Sequence, residues 1–130
     1  MSKGEEKIIE ILKKEKFDFE KEKTFSDLKR GRYRFDFYVH RGRAKDALVE
    51  YQGEQHYMYI SKFYDSRADF LKAKERDRRK ISYCLANQIP LYIIPFWELD
   101  NIHEAKDLFK NKYRAKDKWK NDKDWNNRKI

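Results

Sequence analysis

The spacing of apolar residues changes from one segment of the chain to the next, and each change predicts a new element. Ile8, Ile9 and Leu12 recur at helical spacing, so residues 4–15 read as a helix with one apolar stripe. Phe17 and Phe19 alternate with polar residues and suggest a short strand over 17–25, followed by a connection over 26–31. Tyr33, Phe35, Phe37 and Val39 then alternate with Arg34, Asp36 and Tyr38, the period-two pattern of a half-buried strand. Gly42 in RGRAKD marks a turn, and residues 47–52 predict the next strand. Residues 53–61 read as a loop. A long helix over 63–87 follows, its buried side marked by Phe70, Ile81, Cys84 and Leu85. IPLYIIP at 89–95 is wholly apolar, as an interior strand covered on both faces should be. A last helix is predicted over 98–112. The order helix, three strands, helix, strand, helix predicts a single α/β domain.

The hairpin centred on Arg43 brings candidate chemistry with it. Its register pairs Phe35 with Tyr51, Phe37 with Val49 and Val39 with Ala47, all apolar and all on one face. On the other face Asp36 falls opposite Glu50, with Cβ atoms about 5 Å apart, and Gln52 projects from the face of Glu50. Facing like charges destabilise a strand pair. Two arrangements remove that cost: a divalent cation between the carboxylates, or separate pairing with a nearby arginine such as Arg34. Oxygen donors favour Mg²⁺ or Mn²⁺ in the first case.

Other ionisable residues sit at helix positions facing inward. Glu5 lies three, four and seven residues before Ile8, Ile9 and Leu12, on their stripe. Asp77 is seven residues from both Phe70 and Cys84 and four from Ile81, so its carboxylate lies on the buried side and needs a partner. Orienting His56, binding a second metal, or bridging to a local arginine would each supply one. Lys80 follows one turn later. His56, in the loop after the strand, is either a histidine bonded to its neighbours or a group for general acid/base work. Cys84, at core spacing, reads as packing rather than as a nucleophile.

Composition narrows the classes. The 130 residues make about one domain, and 32 Lys and Arg against 23 Asp and Glu give a formal net charge of +9. Charged residues are 42 % of the chain, yet 16 % aromatic content argues against disorder. One cysteine excludes an internal disulfide and any structural zinc site of two or four cysteines. No apolar run reaches the ~20 residues of a membrane span, and MSKGEEKIIE has no signal core. A cytoplasmic setting away from membranes is the expectation. Ten Lys and Arg against five Asp and Glu fall between His103 and Ile130. The tail over 113–130 interleaves these bases with Tyr113, Trp119 and Trp125. It reads either as a solvated tail whose tryptophans pack back, or as a nucleic-acid-binding segment. In the second case Arg114, Lys116, Lys118 and Lys120 would meet phosphates and Trp119 would stack on bases.

RFDF followed fourteen residues later by VEYQ resembles the D…E-x-K core of the PD-(D/E)XK nuclease superfamily, which has the restriction-endonuclease-like fold. More closely, GEEKI, RFDFYV, VEYQGEQHY, RDRRK and LYIIPF, in this order, resemble the very-short-patch-repair-like and EDxHD homing-type endonucleases, often found in phages and mobile elements. The resemblance implies one nuclease domain over 1–112, a central mixed sheet of about four strands flanked by helices. It implies a Mg²⁺- or Mn²⁺-dependent endonuclease that hydrolyses DNA phosphodiester bonds, and it leaves dimerisation open. Asp36, Glu50 and the carbonyl of Tyr51 match the metal-binding positions. Glu5, His56 and Asp77 match the family's remaining acids and its histidine. Gln52 stands where the superfamily usually has a lysine, a place Lys80 could fill. The single cysteine does not supply the structural zinc of the repair enzymes. A branched-DNA or RNA nuclease of the same fold, or an inactive nucleic-acid-binding module, are the alternative readings.

Overall fold

The computed structural model of the protein describes residues 1–57 and 65–115. Residues 58–64, from the predicted loop and the start of the long helix, and the tail from Lys116 lie outside the described residues. Helix α1 (Lys3–Lys14) begins where the Ser2 Oγ accepts the Glu5 N–H at 3.2 Å. It closes where Lys16 takes a left-handed conformation and the Phe17 N–H reaches back to the Leu12 carbonyl. Its buried stripe is Ile8, Ile11 and Leu12, with Ile9 only partly covered. Strands β1 (Asp18–Lys23), β2 (Phe35–His40) and β3 (Ala47–Gln52) form an antiparallel meander, turning at Gly42 with φ +67. Helix α2 (Arg67–Ala86) then carries the chain across to β4 (Leu91–Pro95), which pairs parallel with β3. The sheet order is β1-β2-β3-β4.

Apolar layers cover both faces of this sheet. Ile8 and Leu12 of α1 pack with Phe37, Val49, Ile94 and Leu108 on one face. Ile81 and Cys84 of α2 pack with Leu48, Leu91 and Ile93 on the other. Each such side chain, fully buried, contributes roughly 1.5–3 kcal/mol, so the two layers fix how α1 and α2 sit against β3. No helix among the described residues is long and apolar enough to cross a membrane.

Three expectations need correction. Leu85 is 52 % exposed, because it lies one residue beyond Cys84 and turns away from the α2 stripe. Strand β4 is buried on both faces but is the last strand of the sheet. Its outer edge is met by a bridge between Tyr92 and Arg114 and by the Ala115 N–H donating to the Leu91 carbonyl at 2.8 Å. Residues 98–112 do not form one helix. A 3₁₀ segment (Phe96–Asn101), the single turn α3 (Ala105–Leu108) and another 3₁₀ turn (Asn111–Tyr113) take its place. Ile102 is extended, and Asp107 accepts the N–H groups of His103 and Glu104, which starts a new helix instead of prolonging the old one. Tyr113 and Ala115 are buried, so the packed chain runs three residues past Lys112.

Candidate active site

The site forms where β2 parts from β3. The expected β2–β3 register holds for Phe37↔Val49 and Val39↔Ala47, with Tyr38↔Leu48 between them, and the ladder stops there. On the other side β1 keeps its register with β2 as far as Lys23↔Phe35, although Glu22 takes φ 53, a conformation that costs a non-glycine residue about 1–2 kcal/mol. Phe35 packs in the α2-side layer, away from Phe37, so the expected pairs Phe35–Tyr51 and Asp36–Glu50 are not ladder pairs. Instead the Asp36 carboxylate accepts the Tyr51 N–H at 2.9 Å. A side chain takes a backbone donor just where the ladder ends.

Glu50 points from β3 toward α2 and is 4 % exposed. The cation that answers it is Lys80, whose Nζ donates to Glu50 Oε1 in a buried pair. Arg34 is not that partner; it lies on the surface beside Glu22. His56 sits on a 3₁₀ turn (Glu54–His56), with its Nδ1 3.0 Å from Asp77 Oδ2. Lys74 Nζ donates to the His56 carbonyl at 3.0 Å, tying the same turn to α2. Lys74, Asp77 and Lys80 thus recur every three residues along one side of the helix.

Glu5, Asp36, Glu50, Tyr51, His56 and Lys80 line one cavity of about 290 Å³. Glu5 reaches it because α1 passes close to Tyr51: a Cβ on Gly4 would fall 2.4 Å from the Tyr51 ring. Burial, then the charges of Glu50 and Glu5, push the Asp36 carboxyl up to about 7, against the hydrogen bond from Tyr51. Burial also holds the Glu50 carboxyl above its ordinary value, against the pull of Lys80. Cys84 is pushed up to about 12 by burial and by Glu50, so its thiol stays protonated and inert. Protein-family models, curated proteins and solved structures were all compared with this chain, and none matches.

Among the described residues no three His, Cys, Asp or Glu side chains gather closely enough to hold a metal ion by themselves. A Mg²⁺ site does not require three. Mg²⁺ keeps several waters and is commonly bound through one or two carboxylates plus substrate phosphates. Asp36 and Glu50 offer such a pair of oxygen donors at one cavity, so the residues present fit a Mg²⁺ or Mn²⁺ ion.

Two predicted residues stand apart from the cavity lining. Asp77 acts on it through His56. Gln52 is 1 % exposed, and its Oε1 accepts the Tyr57 hydroxyl at 2.7 Å. Arg114, read as part of a tail, bridges to Tyr92 in the fold. Lys116, Lys118, Trp119 and Lys120 lie outside the described residues. Ser2, Gln55 and Lys74 went unread. The string S-K-G-E matches the helix-capping pattern and marks Ser2, and Lys74 lies one turn before Asp77. No comparable signal marks Gln55.

Proposed function

We propose that this chain is a metal-dependent endonuclease that hydrolyses DNA phosphodiester bonds. The observation that carries the reading is the convergence of Asp36, Glu50, His56 and Lys80 on one cavity, with His56 oriented by Asp77. The resemblance of RFDF and VEYQGEQHY to the PD-(D/E)XK nucleases supports the same reading from the sequence. Asp36 and Glu50 would hold Mg²⁺ or Mn²⁺, beside the backbone of Tyr51. When bound, the ion supplies positive charge to the phosphoryl group and acidifies an attacking water.

The protein's own groups do the remaining work. A carboxylate at Asp77 would accept a proton held on His56 Nδ1, 3.0 Å away, and leave Nε2 to take or deliver one. Lys80 brings an ammonium to the cavity wall, where it can meet the charge that builds on phosphate oxygens. That is the task a lysine at position 52 would otherwise have. Glu5 adds a third carboxylate at the mouth.

The test is nicking of supercoiled plasmid in Mg²⁺ or Mn²⁺ against EDTA, with Asp36→Asn and Glu50→Gln as controls. Metal-dependent nicking lost in both variants supports the reading. Binding without nicking in either metal would leave an inactive nucleic-acid-binding module. Branched DNA and RNA in the same assay separate the nucleases of the same fold.

A further inference from the structure

A second cavity, of about 420 Å³, opens at the other end of the β3–β4 pair, between the end of α2 and the start of β4. Arg41, Lys45 and Arg114 line it, and among the described residues no carboxylate does. This is the reverse of the first cavity, where Glu5, Asp36 and Glu50 face inward.

The two arginines are held in place by rings. The Arg41 guanidinium carbon lies 4.6 Å from the centroid of Phe109 and 5.7 Å from that of Tyr92. That of Arg114 lies 5.6 Å from the same Tyr92 ring, which is itself buried. Arg41 Nε donates to the Lys45 carbonyl at 2.6 Å, and Lys45 Nζ donates to the Gln88 carbonyl. Among the described residues, none of the three cations forms an ion pair with a carboxylate. Asp46, beside Lys45, is taken by the His40 ring at 3.0 Å and by the Arg41 backbone N–H.

A half-buried guanidinium loses hydration that ring stacking, at about 0.5–1 kcal/mol, and for Arg41 the nearby Asp46 charge only partly replace. The stacking does fix the forks, and their outer N–H groups remain as donors of the geometry that phosphate accepts in pairs. The neighbouring sequence favours a polyanion over a lone phosphate. Directly after Ala115 the chain adds Lys116, Lys118, Lys120, Lys123, Arg128 and Lys129. From Pro90, which lines the second cavity, to Ile94, the partner in β4 of the first cavity's Tyr51, the chain advances about 13 Å, or roughly four base steps at 3.4 Å each.

We propose that Arg41, Lys45 and Arg114 form a second anion site that seats a phosphate of a nucleic-acid backbone, some four base steps from the cleavage site. The identity of the partner rests on the nuclease reading; the anion site itself rests on its own residues.

The experiment reads binding without cleavage. The full chain in EDTA is titrated with a fluorescent DNA duplex between about 50 and 200 mM KCl, and the log–log salt slope is compared among variants. Arg41→Gln with Arg114→Gln removes both forks. Lys45→Gln, at an exposed residue, leaves the ring stacking untouched should the double variant fail to fold. Each lost phosphate contact makes the slope shallower by about 0.9. We expect a slope shallower by about 0.9 for the arginine pair, which loses the one phosphate contact, and by up to about 0.9 for Lys45→Gln, with plasmid nicking in Mg²⁺ retained at saturating DNA. Folded variants with the wild-type slope overturn the proposal. So does a wild-type slope in variants that have lost only a thermal shift caused by inorganic phosphate, since the site would then hold a free phosphate. Because the slope is read in EDTA, absence of nicking by the wild type would sink the nuclease reading and leave the anion site standing.

Discussion

Asp36 is held above the ordinary carboxylate range by burial and by Glu50, which ties the stability of the metal-free protein to pH. Its carboxyl is pushed up to about 7 in the fold, well above the roughly 3.9 of a free aspartate, so the native state keeps a proton that the unfolded chain releases. This contribution is fully present below about pH 4 and is lost as pH rises through about 7. Asp36→Asn keeps an acceptor for the Tyr51 N–H and removes the charge. In EDTA its melting temperature should exceed the wild type's by a margin that widens from about pH 5 to about pH 8, about 4 °C for each kcal/mol relieved. A constant margin would mean that Asp36 does not titrate there. His56 offers a kinetic counterpart. General acid/base catalysis contributes roughly 10²–10⁴-fold, so His56→Ala should slow nicking by that order with Mg²⁺ binding unchanged. Asp77→Asn should lower kcat in the same direction and change its pH profile, because the amide no longer dictates which ring nitrogen carries the proton. A loss of less than about threefold in His56→Ala would make the histidine a structural loop residue.

At the scale of elements, α1 is positioned by a missing side chain. Gly4→Ala at an open helix position would stabilise by about 1 kcal/mol. Here the added Cβ meets the Tyr51 ring at 2.4 Å, and overpacking of that kind costs about 1–3 kcal/mol. We expect Gly4→Ala to lower the denaturation midpoint and Tyr51→Leu in the same chain to restore most of the loss; additive effects in the double variant would refute the contact. Much of the element order was legible in residue spacing. The helix at Ile8 and Leu12, the hairpin register at Phe37↔Val49 and Val39↔Ala47, and the buried side of α2 at Asp77 all follow from a period of two or 3.6. The departures occur where a side chain overrides the period. Asp36 takes a backbone donor at the end of the ladder, and Asp107 caps a new turn inside a predicted helix. Spacing alone does not join Lys80 to Glu50, which lies thirty residues away; only the packing of α2 on β3 brings them together.

At the scale of the whole molecule, the charge beyond Ala115 can be removed without cutting into any described residue. Deleting residues 116–130 removes six cations and three carboxylates and touches none of the packed residues described above. The shortened protein should bind DNA more weakly and show a salt slope shallower by roughly two to three. Unchanged binding in fluorescence anisotropy would mean that the tail meets no phosphate. Cutting three residues earlier, after Lys112, is a different operation. It removes Tyr113 from the core, along with the Arg114 bridge and the Ala115 N–H that cover the outer side of β4. An uncovered edge of this kind exposes a row of backbone donors and acceptors flanked by Tyr92 and Ile94, and such a row recruits any extended chain that meets it. The last few packed residues therefore act as a guard against self-association, and a protein ending at Lys112 should aggregate with rising concentration even while its sheet is still formed.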